Sequence, residues 1–427
     1  MRKGYLKIQE LSEVFDGPHA TPTKTEEGPF YLSISSLKNG TLDLSQSARL
    51  SELDFLKWTK RVTPKKGDLL FSYETRLGEA ALMPDGIKAC LGRRMGIVRP
   101  DPKRVLPEYL LYSYLAPEFQ SVIASNTITG ATVDRLSLTD FPTFEMRVPP
   151  IEQQRRVASV LSALDAKISL NNRINKQLEE MAKLLYDYWF VQFDFPITAA
   201  QAAAMGKPKL EGKPYRASGG KMTYNEALKR EIPEEWDGRK LEEFEKNIIT
   251  GKTPSTLVPE YHGGDIPFIC IGDVRGNMHV VETELTLSKL GADSQRNKYI
   301  PKGAICVTCI ASPGLIAFAS EDSQTNQQLN SVICEMEEHR YFLYFELKQH
   351  FRFSSGAKTG NTFSNMNKGD FSAIPVLVPP DDILRKFHEL VSPNISLALV
   401  NSLQNKELTE LRDWLLPMLM NGQVTVS

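Results

Sequence analysis

The chain repeats itself at a register of 230 residues, and this constrains its fold more than any other feature. Gly130-Ala131-Thr132 recurs as Gly360-Asn361-Thr362, Asp140-Phe141 as Asp370-Phe371, and Val148-Pro149-Pro150 as Val378-Pro379-Pro380. The register continues without a gap into two helical stretches. It aligns Arg155 with Arg385, Asn171 with Asn401, Asn175-Lys176 with Asn405-Lys406, Leu178 with Leu408, and Leu185 with Leu415. Such a chain folds as two copies of one plan and presents two similar surfaces. Two similar surfaces suit a target with two half-sites, the arrangement by which duplex DNA is read in two places.

The blocks follow the order A-B-A′-B′. The first A block, 1–150, alternates β-rich runs such as Phe30-Tyr31-Leu32-Ser33-Ile34 and Asp68-Leu69-Leu70-Phe71-Ser72 with Gly and Pro turns. The second, 233–380, repeats that order: Pro267-Phe268 answers Pro29-Phe30, Lys302-Gly303-Ala304-Ile305 answers Lys66-Gly67-Asp68-Leu69, and Tyr341-Phe342-Leu343-Tyr344 answers Tyr109-Leu110-Leu111-Tyr112. The edges of the A blocks agree while their bodies diverge, as expected of one scaffold carrying two different surfaces. The stretch 196–232, rich in Ala, Gly, Lys and Pro, reads as a linker with little core of its own.

The B blocks, 151–195 and 381–427, read as long helices. Leu161, Leu164, Ile168, Asn171, Asn175, Leu178, Ala182, Leu185 and Trp189 keep a 4-3 spacing, the seam of a coiled coil. Phe387, Val391, Asn394, Ala398, Asn401, Asn405, Leu408, Arg412, Leu415 and Leu419 form the partner seam, with Pro393 expected to break or restart the helix and Pro417 to kink its end. Asn in an apolar seam costs stability and fixes one register. If the helices run antiparallel, Asn171 meets Asn405 and Asn175 meets Asn401; the alternative is that all four face solvent. The expected fold is therefore α+β: two similar domains joined by two long helices packed as an antiparallel coiled coil with pseudo-two-fold symmetry.

At 427 residues the chain exceeds one ordinary core, and its 41% hydrophobic and 24% charged composition is that of a soluble globular protein. No apolar run approaches the roughly 18 residues of a membrane span. The start, Met1-Arg2-Lys3-Gly4-Tyr5, lacks a secretory apolar core, so a cytoplasmic location is expected. A net charge of −1 argues against a uniformly basic nucleic-acid binder but permits a local basic face. The five cysteines read as buried thiols. Cys306-Val307-Thr308-Cys309 has the spacing of half a zinc site or a redox pair, but its β-branched setting puts the two sulfurs on opposite faces of a strand, and no second pair follows.

The sequence carries no convincing chemistry of its own. Gly251-Lys252-Thr253 ends like a phosphate-binding loop, yet Lys246 stands where the earlier Gly is required and Pro254 stops the necessary helix. Val148-Pro149-Pro150 and Val378-Pro379-Pro380 lack the polar residue before and the aromatic after that base methylation at an amino group demands, so they read as domain boundaries. A nuclease-like pattern from Asp85 to Asp101-Pro102-Lys103 has a proline where a catalytic strand is expected. No catalytic residue and no metal site are assigned.

Four stretches stand out together: Gly251-Lys252-Thr253-Pro254 with Glu260-Tyr261-His262-Gly263-Gly264-Asp265-Ile266-Pro267, Val148-Pro149-Pro150-Ile151-Glu152-Gln153-Gln154-Arg155, Gly219-Gly220-Lys221-Met222 leading to Ile232-Pro233-Glu234-Glu235-Trp236, and the end, Leu415-Leu416-Pro417-Met418-Leu419-Met420-Asn421-Gly422. In their order and spacing they resemble the specificity subunits of type I restriction-modification systems. The first A block departs from the pattern, with Gly17-Pro18-His19-Ala20-Thr21-Pro22 in place of the Gly-Lys-Thr-Pro form. The resemblance implies a DNA sequence-specificity subunit, non-catalytic by itself, whose two target-recognition domains each read half of a bipartite, asymmetric double-stranded site. It implies docking of two methyltransferase subunits and of restriction motor-nuclease subunits, in a complex that cuts DNA and methylates adenine at N6. S-adenosylmethionine, ATP and Mg belong to those partners, and none is expected in this chain. The rival readings are a subunit of a related or methylation-only system, a fused DNA methylase or nuclease, and a scaffold that binds protein only.

Phosphate contacts call for Lys, Arg and hydroxyls on loops, and base contacts for Arg, Lys, Asn and Gln. The candidates are Thr21, Lys24, Arg76, Arg93 and Arg94 in the first A block, and Lys252, Thr253, Arg275, Asn326, Gln327, Gln328 and Lys358 in the second. Asn326-Gln327-Gln328 is the sharpest choice, because amides pair bidentately with adenine. Lys57 to Arg61 and Lys65-Lys66 read as solvated faces.

Overall fold

Short, continuously apolar runs such as Leu69–Ser72 and Ile305–Thr308 are wholly buried, which is the signature of strands covered on both faces. The computed structural model describes residues 4–130, 133–356 and 365–426. It divides into two units, Met1–Ile168 with Glu407–Ser427, and Ser169–Lys406.

In the first unit a four-stranded sheet runs in the order Ser12–Asp16, Met95–Pro100, Leu69–Ser72, Ala80–Leu82, with antiparallel neighbours. A second sheet centres on Thr25–Tyr31, antiparallel to Ala48–Arg49 and parallel to Ala89–Cys90. Tyr5–Lys7 pairs with Glu145–Arg147. The second unit repeats the order of these sheets. Its main sheet runs Ile248–Thr250, Leu329–Val332, Ile305–Thr308, Ile316–Ala319. His262–Ile269 is antiparallel to Leu285–Leu287 and parallel to Gln324–Thr325, and Asp237–Lys240 pairs with Pro375–Val378. The second unit adds His279–Val280, parallel to Ile316–Ala319, where the first has the hairpin of Leu37–Lys38 with Thr41–Leu42 and a parallel bridge from Gly40 to Ala81.

Strand alternation sends side chains to two cores. In the first unit Leu69, Phe71 and Val98 pack with Tyr109, Tyr114 and Phe141 and with Val157, Leu161, Leu416 and Leu419 of the long helices. Leu70, Met95 and Ile97 face Leu32 and Leu91 on the other side. In the second, Ile305 and Val307 join Phe342, Tyr344, Tyr186, Phe190 and Phe387, while Cys306, Ala317 and Leu329 face away. Cys306 and Cys309 thus lie in different clusters. Burial pushes the Cys306 thiol up to about 12 and the Cys309 thiol up to about 11, so neither offers a thiolate near neutral pH.

The first long helix spans Ile151–Tyr186 and runs on into a π turn, Asp187–Val191, that buries Trp189 and Phe190. Its start is fixed by Gln154, fully buried, whose amide donates to the carbonyls of Pro149 (2.8 Å) and Arg104 (3.0 Å) and accepts from the Leu106 N–H (2.9 Å). The second spans Asp381–Asn421 and ends at Gly422, whose φ of 78° is the left-handed conformation that closes a helix. Arg147 donates to the Met420 carbonyl there (2.8 Å).

One expectation is corrected. Pro393 neither breaks nor restarts the second helix, which is continuous from Asp381 to Asn421. Pro393 and Glu389 are both exposed, so the carbonyl that loses its N–H partner stands on the wet side of the helix, while Val391, Ile395 and Ala398 are buried opposite. The stretch 196–232 packs onto the second unit's core. Phe195 stacks between Tyr215 (4.7 Å) and Trp236 (4.8 Å), and Ile197, Ala202 and Ile232 are buried with them. Thr198 caps the helix Ala199–Ala204, and Met222–Asn225 pairs with Arg230–Pro233.

Candidate nucleic-acid interface

Register decides which loops meet. In the first unit Asp16 lies opposite Gly96, and Met95 opposite Ser72. The loop leaving Asp16, the hairpin after Ser72 and the turn entering Met95 therefore share one end of the main sheet. Thr21 and Lys24 lie on the first of these, Arg76 on the second, and Arg93 and Arg94 on the third. In the second unit Thr250 lies opposite Asn330, and Thr308 opposite Leu329, which assembles the same end from Lys252 and Thr253, the hairpin after Thr308, and Asn326 to Gln328. Arg275 reaches that hairpin through Ser312 (3.3 Å). Lys358 lies outside the described residues.

Close backbone packing holds each loop against its neighbour. A Cβ on Gly251 would lie 2.1 Å from the Asn326 carbonyl oxygen, and one on Gly17 would lie 2.6 Å from that of Met95. These glycines open Gly251-Lys252-Thr253-Pro254 and the divergent Gly17-Pro18-His19-Ala20-Thr21-Pro22, so the sequence marked the position without revealing its cause.

The candidates differ in how free they are. Arg94, in the left-handed region at φ 72°, pairs with Glu74 (2.8 Å) and donates to Thr75 Oγ1 (3.2 Å). Arg76 pairs with Glu79 (3.0 Å) and donates to the Ile34 carbonyl (3.3 Å). Both brace the hairpin. Arg93 and Lys24 are exposed, and their charged ends have no protein partner among the described residues. In the second unit Asn326 is buried, donating to Gln328 Oε1 and accepting from the Gln328 N–H, each at 3.0 Å. Its amide is engaged within the turn. Gln327 is exposed, and its side-chain oxygen accepts from Thr253 Oγ1 (2.6 Å), leaving its NH2 outward. Lys252 is exposed, and its carbonyl accepts from Gln295 (2.7 Å).

The seam asparagines form a ladder in the second unit. Asn171 donates to Asn405 Oδ1 and to Gln404 Oε1, each at 2.9 Å, and Asn401 donates to Asn175 Oδ1 at 2.9 Å. Asn405 donates to Asn172 (2.8 Å), and Asn175 to Ser402 (3.1 Å). Asn171 is fully buried and Asn401 nearly so. The first unit has a different polar seam, which sequence reading missed: Arg412 pairs with Asp165 (2.9 Å), and Asp165 also accepts from Tyr112 (2.6 Å). An ion pair between residues so distant in the chain leaves no local pattern.

Among the described residues no three His, Cys, Asp or Glu side chains are grouped to hold a metal, and no helix is long and apolar enough to cross a membrane.

A family model described as "Type I restriction modification DNA specificity domain" matches residues 5–180 and 233–405. The chain is 33% identical over 403 residues, 84% of its length and 87% of the relative's, to the type I restriction enzyme HindI specificity subunit of Haemophilus influenzae. It is 24% identical, over 98% of this chain and 93% of the relative, to the MjaIX specificity subunit of Methanocaldococcus jannaschii. Its fold is similar to the crystal structure of a type I restriction-modification S subunit from M. genitalium, with a TM-score of 0.54, 15% identity and coverage of 97% of this chain and 95% of that one. With two matched segments covering most of its length, this chain belongs to the type I restriction-modification DNA specificity family.

Proposed function

We propose that this chain is the non-catalytic DNA-recognition subunit of a cytoplasmic type I complex and that each unit reads one half of a bipartite, asymmetric site. The observation that carries the reading is the pair of sheet ends, built from one strand order but bearing different polar residues: Lys24 and Arg93 in one unit, Lys252 and Gln327 in the other. Loops on a fixed frame vary without cost to the core, which is how one fold reads different bases.

The long helices are the docking surface for methyltransferase subunits, one per unit. Leu184 and Tyr188 on the first helix are 68% and 39% exposed, and Leu411 and Trp414 on the second are 43% and 58% exposed. Apolar side chains repeated on a helical face beyond the seam are characteristic of a protein interface. S-adenosylmethionine, ATP and Mg would be carried by the methyltransferase and motor-nuclease partners. Electrophoretic shift with random-sequence duplexes, with and without a co-expressed methyltransferase, tests the reading. A shift that sharpens to a selected sequence when the methyltransferase is present is expected, and a chain that binds only protein would contradict it. Light scattering of that complex is expected to report two methyltransferases per chain; a single one would refute the one-per-unit docking.

A further inference from the structure

Beside the loop that carries Thr21, the first unit opens a groove lined by Asp16, His19, Lys57, Lys60, Arg61 and Leu91, with Trp58 among its walls. Trp58 Nε1 donates to the Ala20 carbonyl (3.4 Å), which ties the short stretch 52–61 to that loop. Arg93 stands two residues beyond Leu91. The three cations are exposed and at most loosely paired. Lys60 has no side-chain partner among the described residues, Lys57 pairs with Asp54 at the long distance of 3.5 Å, and Arg61 lies 3.9 Å from Asp16. The Asp16 carboxylate is already engaged by His19 (2.9 Å) and Tyr73 (2.9 Å).

The corresponding stretch of the second unit, found by matching Gly67 to Gly303, holds its cations in closer contacts. Lys289 and Arg296 both pair with Asp293 (3.1 and 3.4 Å), and Lys298 donates to the Thr250 carbonyl (2.9 Å). The architecture is shared and the charge is not.

We propose that the groove between His19 and Arg61 is a seat for the phosphates of duplex DNA, and that it gives the first unit the larger share of the salt-dependent affinity. The proposal deepens the DNA-recognition reading and rests on it. Each phosphate neutralised by Lys or Arg contributes about 0.9 to the slope of log affinity against log salt, whatever the base sequence. The test uses the full chain, alone and co-expressed with its methyltransferase, and a pool of random-sequence duplexes titrated across KCl concentration. Replacing Lys57, Lys60 and Arg61 together by Gln is expected to lower the slope by roughly 2 to 3, and Lys60→Gln alone by about 0.9. Lys60→Arg should keep the slope, and Lys289→Gln with Arg296→Gln should leave it unchanged. All these side chains are exposed, and an unchanged thermal midpoint for Lys60→Gln separates lost contact from lost fold. An unaltered slope in the triple variant, or an equal loss in the second-unit pair, overturns the seat. A wild-type chain that binds no duplex in either form overturns the DNA-recognition reading itself, and the seat with it.

Discussion

The two units share a backbone plan and differ where side chains meet water or one another. Both have the same order of four antiparallel strands and the same central strand flanked by one antiparallel and one parallel neighbour. Yet the helix start that Gln154 fixes through three hydrogen bonds in the first unit has buried Leu384 at the matching position in the second. The seam pair Asp165–Arg412 corresponds, at the 230-residue register, to Ile395 and Ala182, both buried in the second unit's core. Hydrogen-bonded strand order tolerates no partial change, whereas a core position accepts either a satisfied polar pair or an apolar one. A duplicated chain can therefore hold one frame while its surfaces drift apart.

The largest expected effect breaks the seam comparison. Arg412→Leu leaves the half-buried Asp165 carboxylate with only the Tyr112 hydroxyl, and should cost about 2 kcal/mol in denaturant unfolding, less than the ~3–5 of a fully buried pair because water still reaches it. Asp165→Ile with Arg412→Ala, which copies the second unit's solution, should fall within about 1 kcal/mol of the wild type. A double variant as unstable as the sum of its single changes would show that the two seams are not interchangeable.

The asparagine ladder comes next. Changing Asn171, Asn175, Asn401 and Asn405 to Leu removes a polar cost and should raise stability by about 1–2 kcal/mol. The register would then no longer be enforced, and the assembled complex should accept sites with spacers longer or shorter than the native one. Unchanged stability with unchanged spacer selectivity would deny the ladder that role.

The smallest effect belongs to His279, present only in the added strand of the second unit. Burial lowers its pKa from 6.5 to about 4, and its Nδ1 has no hydrogen-bond partner among the described residues. The folded state holds it neutral while the unfolded state binds a proton more readily, so its stabilising contribution is complete above pH 6.5 and is lost as pH falls towards 4. Burial lowers His350 and His388 as well, in the same direction. Between pH 7 and 5.5 His279 alone should remove about 1 kcal/mol, and His279→Phe, suited to its contact with Phe318 (5.4 Å), should flatten that part of the profile. An unaltered profile would place the acid sensitivity elsewhere.

The repeat and the 4-3 seam were legible because both are periodic, and period survives without tertiary context. The packing of 196–232 was not: Tyr215 stacks on Phe195, which stacks on Trp236, and both of those partners lie outside the Ala- and Gly-rich stretch. Pro393 misled because local propensity cannot show that its helix face is wet. Among the site candidates, the loops could be chosen from residue type. The internal engagement of Asn326 and the freedom of Lys60 depend on neighbours that only folding supplies.

The central claim is that two units of one plan read two unlike half-sites. Sequencing adenine methylation in cells that carry the complete system tests it most directly. The account predicts a split motif with two different halves and a fixed gap, becoming near-palindromic when 1–150 is replaced by a second copy of 233–380. A single continuous motif, unchanged by that replacement, would contradict it.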